Sequence, residues 1–409
     1  MRFACRICGR ALTHTFVDLG MTPLANSYLD ADQLDAMEPF YPLHVRVCEG
    51  CLLVQLPELR SPAEIFEEYA YFSSFSESWL EHGRRYSEAM IERFSLGPAS
   101  RVIEVASNDG YLLRHFRDRG IGVLGIEPAR NVAEAANAAG IPTLPRFFGA
   151  ALARELVAKS TRADLLAGNN VLAHVPDLHD FVGGLEILLA DGGVLTVEFP
   201  HLLRLMKETQ FDTIYHEHFS YLSFRVVVAL FAGHALTVFD VEELPTHGGS
   251  LRVFARRAAD GRFPVRPGVA ELLAREEAEG LGSIETYGEF GARVAGTKAQ
   301  LLEFLLDVRS RGKSVAGYGA PAKGNTLLNS CGVRSDFLPF TVDRSPHKQG
   351  RFLPGTHIPI YAPEKIFQAR PDYVLILPWN LREEIAEQMS RIGEWGGKFV
   401  VAIPRIQTF

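Results

Sequence analysis

The sequence predicts an α/β protein of three domains, and three observations predict it. Two C-x-x-C pairs open the chain, Cys5 with Cys8 and Cys48 with Cys51. From about residue 76, short apolar runs alternate with stretches of helical periodicity, the pattern of a mostly parallel sheet covered on both faces. After a proline- and glycine-rich linker, Asp260 to Gly268, a second strand–turn–helix unit begins at Ser314. Boundaries are expected at 1–75, 76–257 and 258–409, and a chain of 409 residues is long enough for several cores.

The first domain is defined by its thiols. Four cysteines in two knuckles, in a chain without a secretory signal, are best explained by structural zinc bound to Cys5, Cys8, Cys48 and Cys51. Four thiolates close the coordination sphere, so the metal holds the fold and has no open position for substrate. A redox pair or a nucleic-acid zinc module is the rival reading, but nothing basic or aromatic surrounds the knuckles to support the latter. Pro23, Pro39 and Pro42 predict that the long gap between the knuckles loops out before returning. Pro62 to Ser74 reads as a helix end and an aromatic connector, in which Tyr69 and Tyr71 suit packing and a cleft wall equally well.

The second domain centres on Val102-Ile-Glu-Val-Ala-Ser-Asn-Asp-Gly110, an apolar strand entering a turn of small and polar residues, followed by a helix through Tyr111 to Phe116. Gly110 allows positive φ and a close approach to a ligand. The next strand, Val123 to Glu127, ends in a carboxylate placed for a ribose hydroxyl. Ala106 and Asn108 stand where a dinucleotide fingerprint has glycines, so a pyrophosphate fits poorly. A cofactor with a ribose and a cationic sulfonium suits a turn flanked by Glu104, Asp109 and Glu127, and S-adenosylmethionine is that cofactor. Ala106, Ser107, Asn108, Gly110, Glu127, Asn169 and Asn170 are its expected contacts; turn formation explains the two asparagines as well. Further strands are predicted at Asp164–Ala167, Gly193–Glu198, Leu236–Val241 and Leu251–Phe254, with helices near Asn131–Ala139, Ala150–Lys159 and Leu178–Leu189.

Chemistry concentrates after the strand that ends at Glu198. Tyr215-His-Glu-His218 supplies a near-neutral base, a carboxylate able to orient an imidazole, and a phenol able to donate to a developing oxyanion. Zinc binding there would need a second cluster that the neighbourhood lacks. In Thr246-His-Gly-Gly-Ser250 two glycines beside His247 permit close backbone approach, or form a bare bulge.

The third domain is predicted to begin with a strand at Ser314–Tyr318, a turn through Gly319 and Lys323 to Asn325, and a helix over Thr326–Asn329. That arrangement favours a phosphate or diphosphate, although it lacks Walker spacing. Strands at Phe337–Val342, Tyr373–Leu377 and Lys398–Ile403 and a helix at Arg382–Ile392 complete a doubly wound sheet, and Cys331 is expected to be buried and inert. A net charge of -7 argues against broad nucleic-acid or anionic-membrane binding. No apolar run spans a bilayer and the N-terminus has no signal-peptide core, so a cytoplasmic chain is expected.

With these motifs in order, the chain resembles the sugar C-methyltransferases of deoxysugar biosynthesis, which methylate a nucleotide-linked 4-keto-6-deoxyhexose, commonly at C-3. The resemblance rests on the two cysteine knuckles, Glu104 to Gly110, Gly168 to His174, Tyr215 to His218, His247 to Ser250 and Gly317 to Asn325. It implies a zinc-binding N-terminal domain, a central Rossmann-like S-adenosylmethionine-dependent methyltransferase domain, and a C-terminal Rossmann-like domain. The sugar nucleotide, expected to be dTDP-linked and possessing a 6-deoxy, 2,6-dideoxy or amino hexose, would lie between the last two, bound by a monomer. On this reading His218 is the base, Glu217 tunes or positions it, Tyr215 and His174 steady the enolate, and Tyr69 lines the cleft. Tyr71, His247, Lys323 and Asn325 are the expected substrate contacts. A nicotinamide-dependent epimerase or dehydrogenase would need a pyrophosphate loop and a Tyr-x-x-x-Lys pair that are absent, and a non-catalytic nucleotide-sugar binding module would bind without transfer.

Overall fold

A computed structural model describes residues 3–59, 61, 73–75 and 77–409. Tyr69, Tyr71 and the helix expected from Pro62 lie outside the described residues. Among the described residues no helix is long and apolar enough to cross a membrane.

The central sheet has seven strands in the order β10-β11-β8-β7-β4-β5-β6. They are β4 (Arg101–Val105), β5 (Gly122–Ile126), β6 (Thr143–Leu144), β7 (Ala163–Asn169), β8 (Leu189–Pro200), β10 (Leu236–Leu244) and β11 (Ser250–Arg257). β8, β7, β4, β5 and β6 run parallel, and β11 runs antiparallel to both β8 and β10. Both faces are covered, so Val102, Ile103, Leu165, Leu166, Leu195 and Val197 are all buried. The chain moves outward from β4 through β5 to β6, then crosses back to β7. This reversal opens a crevice beyond the carboxyl ends of β4 and β7.

The N-terminal sheet contains β1 (His14–Thr22), β2 (Tyr41–Val47), β3 (Val54–Gln55) and, as its fourth strand, β9 (Ser220–Tyr221). β9 directly follows the Tyr215 to His218 segment, and its pairing of Ser220 with Gln55 brings that segment to the zinc-binding part of the chain. Residues 23–40, between β1 and β2, loop out as Pro23 and Pro39 predict, whereas Pro42 lies inside β2 opposite Met21, and the loop lands on the C-terminal part of the chain. Leu29 bridges Phe352, the Tyr28 hydroxyl donates to Ala320 O at 2.5 Å, and Glu38 accepts from Gly355 N at 2.8 Å. Phe16 of β1 stacks on Phe290 with ring centres 4.4 Å apart.

The third sheet has the order β14-β13-β12-β15-β16-β17, from β12 (Val315–Tyr318), β13 (Thr341–Val342), β14 (Ile360–Tyr361), β15 (Tyr373–Ile376), β16 (Lys398–Val401) and β17 (Gln407–Thr408). All are parallel except β17, and the order reverses between β12 and β15. Three expectations need correction here. The strand predicted from Phe337 shrinks to Thr341–Val342, because a hydrogen-bonded turn in which Arg334 O accepts from Phe337 and Leu338 occupies the preceding residues. The linker ends before Gly268, since Pro267 is already the first residue of a helix, Pro267–Ala278, where a missing N–H costs nothing. The helix after β12 starts at Ala322, so Lys323 belongs to its first turn and does not precede it.

Candidate active site

The thiols come together as their spacing predicts. The Sγ atoms of Cys5, Cys8, Cys48 and Cys51 all lie within 4.8 Å of one another, with Cys5 to Cys51 at 3.4 Å and Cys8 to Cys48 at 3.3 Å. Tetrahedral zinc with sulfur ligands needs edges of about 3.8 Å, so the four residues fit the ion. Gln55 Nε2 donates to Cys5 Sγ at 3.2 Å, a support for the thiolate from outside the ligand set.

The crevice at β4 is shaped by three left-handed residues in a row of five: Ala106, Asn108 and Gly110, at φ of 57°, 50° and 78°. Gly110 is required there for the positive φ expected of it, and also because a Cβ would stand 2.8 Å from the Ile141 side chain. Glu127, just past β5, accepts from Asn108 N and Ala129 N at 3.0 Å each, which fixes the carboxylate and leaves each oxygen a lone pair for a diol. Among the described residues, buried Asn169 has neither amide atom partnered, and Asn170 Oδ1, Asp109 Oδ1, Ser107 Oγ and Glu104 Oε2 are also buried without partners. Such a concentration of orphaned polar atoms at the ends of β4 and β7 is costly unless a ligand satisfies it. Burial, and then the neighbouring carboxylates of Glu127, Asp109 and Glu198, push the Glu104 carboxyl well up. A cation placed among them relieves that repulsion, so these residues fit S-adenosylmethionine. Asn169→Ala is expected to raise the KM for this cofactor about 5- to 30-fold, the worth of one or two hydrogen bonds, with kcat changed less; cofactor titration checks it.

Within the Tyr215 to His218 segment, His218 lines a small cavity with Thr213, Tyr221 and Leu222. His218 Nδ1 lies 2.9 Å from Thr213 O, and His174 Nδ1 lies 2.9 Å from Glu217 O. A carbonyl only accepts, so in both rings Nδ1 carries the proton and the neutral imidazole has its lone pair on Nε2. Burial, reinforced by His174, holds the His218 pKa well below its ordinary value, and burial holds His174 at about 4. Both are therefore neutral near pH 7. The rings meet edge to face with centres 4.7 Å apart, and Tyr215 lies 4.0 Å from His218.

Two expected roles change. Glu217 does not orient His218: its carboxylate accepts from Asn26 Nδ2 at 2.7 Å, and burial raises it to about 7. With its Nδ1–H committed to a carbonyl, neutral His174 has no proton on Nε2 to donate to an enolate oxygen. Tyr215 is the remaining donor of the expected pair.

The His247 turn and Lys323 lie close enough to these imidazoles to act on their charge. His247 sits at φ 55°, a strained conformation for a non-glycine residue, with its ring 5.2 Å from Trp79. Trp79 stacks on His82 at 4.8 Å, and His82 is held by Glu198 at 2.9 Å. Gly248 and Gly249 approach protein closely: a Cβ on Gly248 would lie 2.4 Å from Trp379 and one on Gly249 2.9 Å from Arg204. Gly248→Ala is accordingly expected to cost about 1–3 kcal/mol, read as a lowered Tm. Lys323 Nζ donates to Asn380 at 2.7 Å and lies 4.8 Å from the Trp379 ring, while Trp379 Nε1 donates to buried Asp212 at 2.7 Å. Burial lowers the Lys323 ammonium and Asp212 opposes this. Asn325 is 1% exposed; its amide N–H donates to Ala25 O at 2.6 Å and ties the inter-knuckle excursion down, while its Oδ1 has no partner among the described residues. Asn26, Trp79, Asp212 and Trp379 had no sequence signal, because each acts through contacts distant in the chain.

A doubly wound domain with a glycine-poor turn, a buried carboxylate fixed at the end of the second strand and a separate closed thiolate site defines an S-adenosylmethionine-dependent methyltransferase with a structural zinc site. Family profiles match along the chain: a zinc binding domain at 5–66, a methyltransferase domain at 79–238 and a C-methyltransferase C-terminal domain at 245–404. The chain is 41% identical over 400 residues to the C-methyltransferase NovU of Streptomyces niveus, covering 98% of this chain and 95% of that protein, and it belongs to this C-methyltransferase family. Among solved structures, an S-adenosylmethionine-dependent methyltransferase from Clostridium acetobutylicum is similar over 44% of this chain and 92% of its own, at 8% identity and a TM-score of 0.37. Magnesium protoporphyrin IX methyltransferase from Synechocystis, with bound S-adenosylmethionine, is similar over 48% and 88%, at 13% identity and a TM-score of 0.33.

Proposed function

We propose that this C-methyltransferase acts on a nucleotide-linked 4-keto-6-deoxyhexose and places the methyl group at C-3. The observation that carries the reading is the neutral His218, with Nδ1–H fixed on Thr213 O and the Nε2 lone pair left as a base beside the Tyr215 phenol. Carbon next to a ketone becomes a nucleophile only when its proton is removed and the oxygen is stabilised. His218 Nε2 takes the proton, the electron pair moves onto the carbonyl oxygen, and the Tyr215 hydroxyl donates to it. His174, edge to face with His218, packs beside the sugar ring. S-adenosylmethionine, when bound, supplies an electrophilic methyl group. Lys323 and His247 bind the sugar nucleotide, and Trp79 lies beside His247. The motifs quoted above support the sugar class, and the lack of a membrane-spanning helix among the described residues accords with a cytoplasmic site of action.

The test is incubation with labelled S-adenosylmethionine and a panel of 4-keto sugar nucleotides, dTDP-linked ones included. Label on C-3 of a keto sugar is expected; transfer to oxygen or nitrogen acceptors, with none to carbon beside a ketone, contradicts the proposal. The pH profile gives a second check. His218 must be unprotonated to act, and its pKa is depressed, so kcat/KM should stay level as pH falls past 6.5 and drop only further down. A base with an unperturbed imidazole would lose half its activity near pH 6.5.

A further inference from the structure

One side chain joins the zinc site to the base. Arg6 stands between Cys5 and Cys8 and is half-buried. Its Nη1 donates to Phe219 O at 2.9 Å, its Nη2 donates to Leu56 O at 2.6 Å, and its guanidinium lies 5.3 Å from the centre of the Phe219 ring. Its own N–H donates to Gln55 Oε1 at 3.0 Å, and the same Gln55 donates to Cys5 Sγ. Phe219 is held from both ends. Leu56 N joins Arg6 on its carbonyl at 3.0 Å, while its N–H donates to Ala173 O at 2.8 Å. The residue after His218 is thus pinned to the knuckle through its carbonyl, and through its N–H to the residue before His174. Four thiolates around zinc need no arginine between them, so this cation serves the segment it grips. Charged donors to carbonyls are the stronger class of hydrogen bond, and the closed zinc site makes their origin rigid.

We propose that Arg6 is a positioning residue for the reaction, transmitting the rigidity of the zinc knuckle through Phe219 to His218 and His174. This rests on the reading of His218 as the base. A misplaced catalytic group costs about 10- to 100-fold in rate. In the full-length, zinc-loaded protein, Arg6→Met is expected to keep its zinc and its Kd for S-adenosylmethionine. Its kcat, and the exchange of the substrate hydrogen next to the ketone with deuterated solvent, should fall together by about that factor, with KM for the sugar little changed. Arg6→Lys should lie between, and added guanidinium ion should recover part of the rate lost in Arg6→Ala. The Nδ1–H proton resonance of His218 gives a readout that needs no substrate, and it should shift or broaden in Arg6→Met. Wild-type exchange with an unshifted resonance in a zinc-loaded variant overturns the proposal; if Arg6→Met does not hold zinc, Arg6→Lys decides, and loss of zinc from both makes Arg6 part of the metal site instead. A wild-type protein that neither exchanges nor methylates any keto sugar overturns the functional reading, and the His218 resonance then settles the Arg6 link alone.

Discussion

Replacing His218 by Asn is expected to lower kcat for methyl transfer about 10²- to 10⁴-fold, the contribution of a positioned general base. Asn can still reach Thr213 O through its amide, so the segment keeps its hydrogen bond and only the lone pair at Nε2 is lost. The Kd for S-adenosylmethionine should not move, because the cofactor residues lie on other loops, after β4, β5 and β7. Tyr215→Phe should reduce kcat less, since it removes one hydrogen bond to the oxygen and leaves the base intact. His174→Gln should act mainly on KM, as a residue packed beside the substrate would. Were His174→Gln to abolish turnover and His218→Asn to spare it, the two imidazoles would exchange roles.

Removing the zinc is expected to have the largest effect on stability. Structural zinc contributes about 10–16 kcal/mol of apparent binding energy in small zinc modules, comparable to the whole stability of a domain. Cys48→Ser should therefore abolish zinc binding and unfold the N-terminal sheet. The damage will not stay there, since β9 pairs with β3 and Phe16 stacks on Phe290. Metal analysis, thermal unfolding and turnover on the same sample check this. A zinc-free variant that keeps wild-type Tm and turnover would show that the thiolates are dispensable to both fold and site.

The two C-x-x-C pairs, the turn at Ala106 to Gly110, the carboxylate at Glu127 and the strand–turn–helix at Ser314 were legible because each is a local pattern: a ligand spacing, a periodicity, a residue type at a turn. What lay beyond the sequence is long-range. β3 and β9, Val54–Gln55 and Ser220–Tyr221, are two-residue strands far apart in the chain, and such short pairings leave no period to read. β14 was missed for the same reason, with Pro359 and Pro363 on either side reading as loop. Gly110 and Gly248 were rightly marked as close approaches, yet their partners are Ile141 and Trp379, and sequence alone cannot tell a ligand from a neighbouring side chain. The roles of Glu217 and His174 turned on which atoms face which. The Glu217 carboxylate meets Asn26, from a loop nearly two hundred residues earlier, and the proton on His174 is set by a backbone carbonyl. Neither is encoded in the Tyr215 to His218 motif itself.

The central claim is that the protein removes a proton from carbon before a methyl group is transferred. It is tested most directly with the demethylated cofactor, S-adenosylhomocysteine, bound together with a 4-keto sugar nucleotide in deuterated water. Deuterium should enter at C-3 without any methyl transfer, and His218→Asn should stop it. If the wild-type protein methylates the sugar but never exchanges that hydrogen, or if exchange persists undiminished in His218→Asn, the account is contradicted.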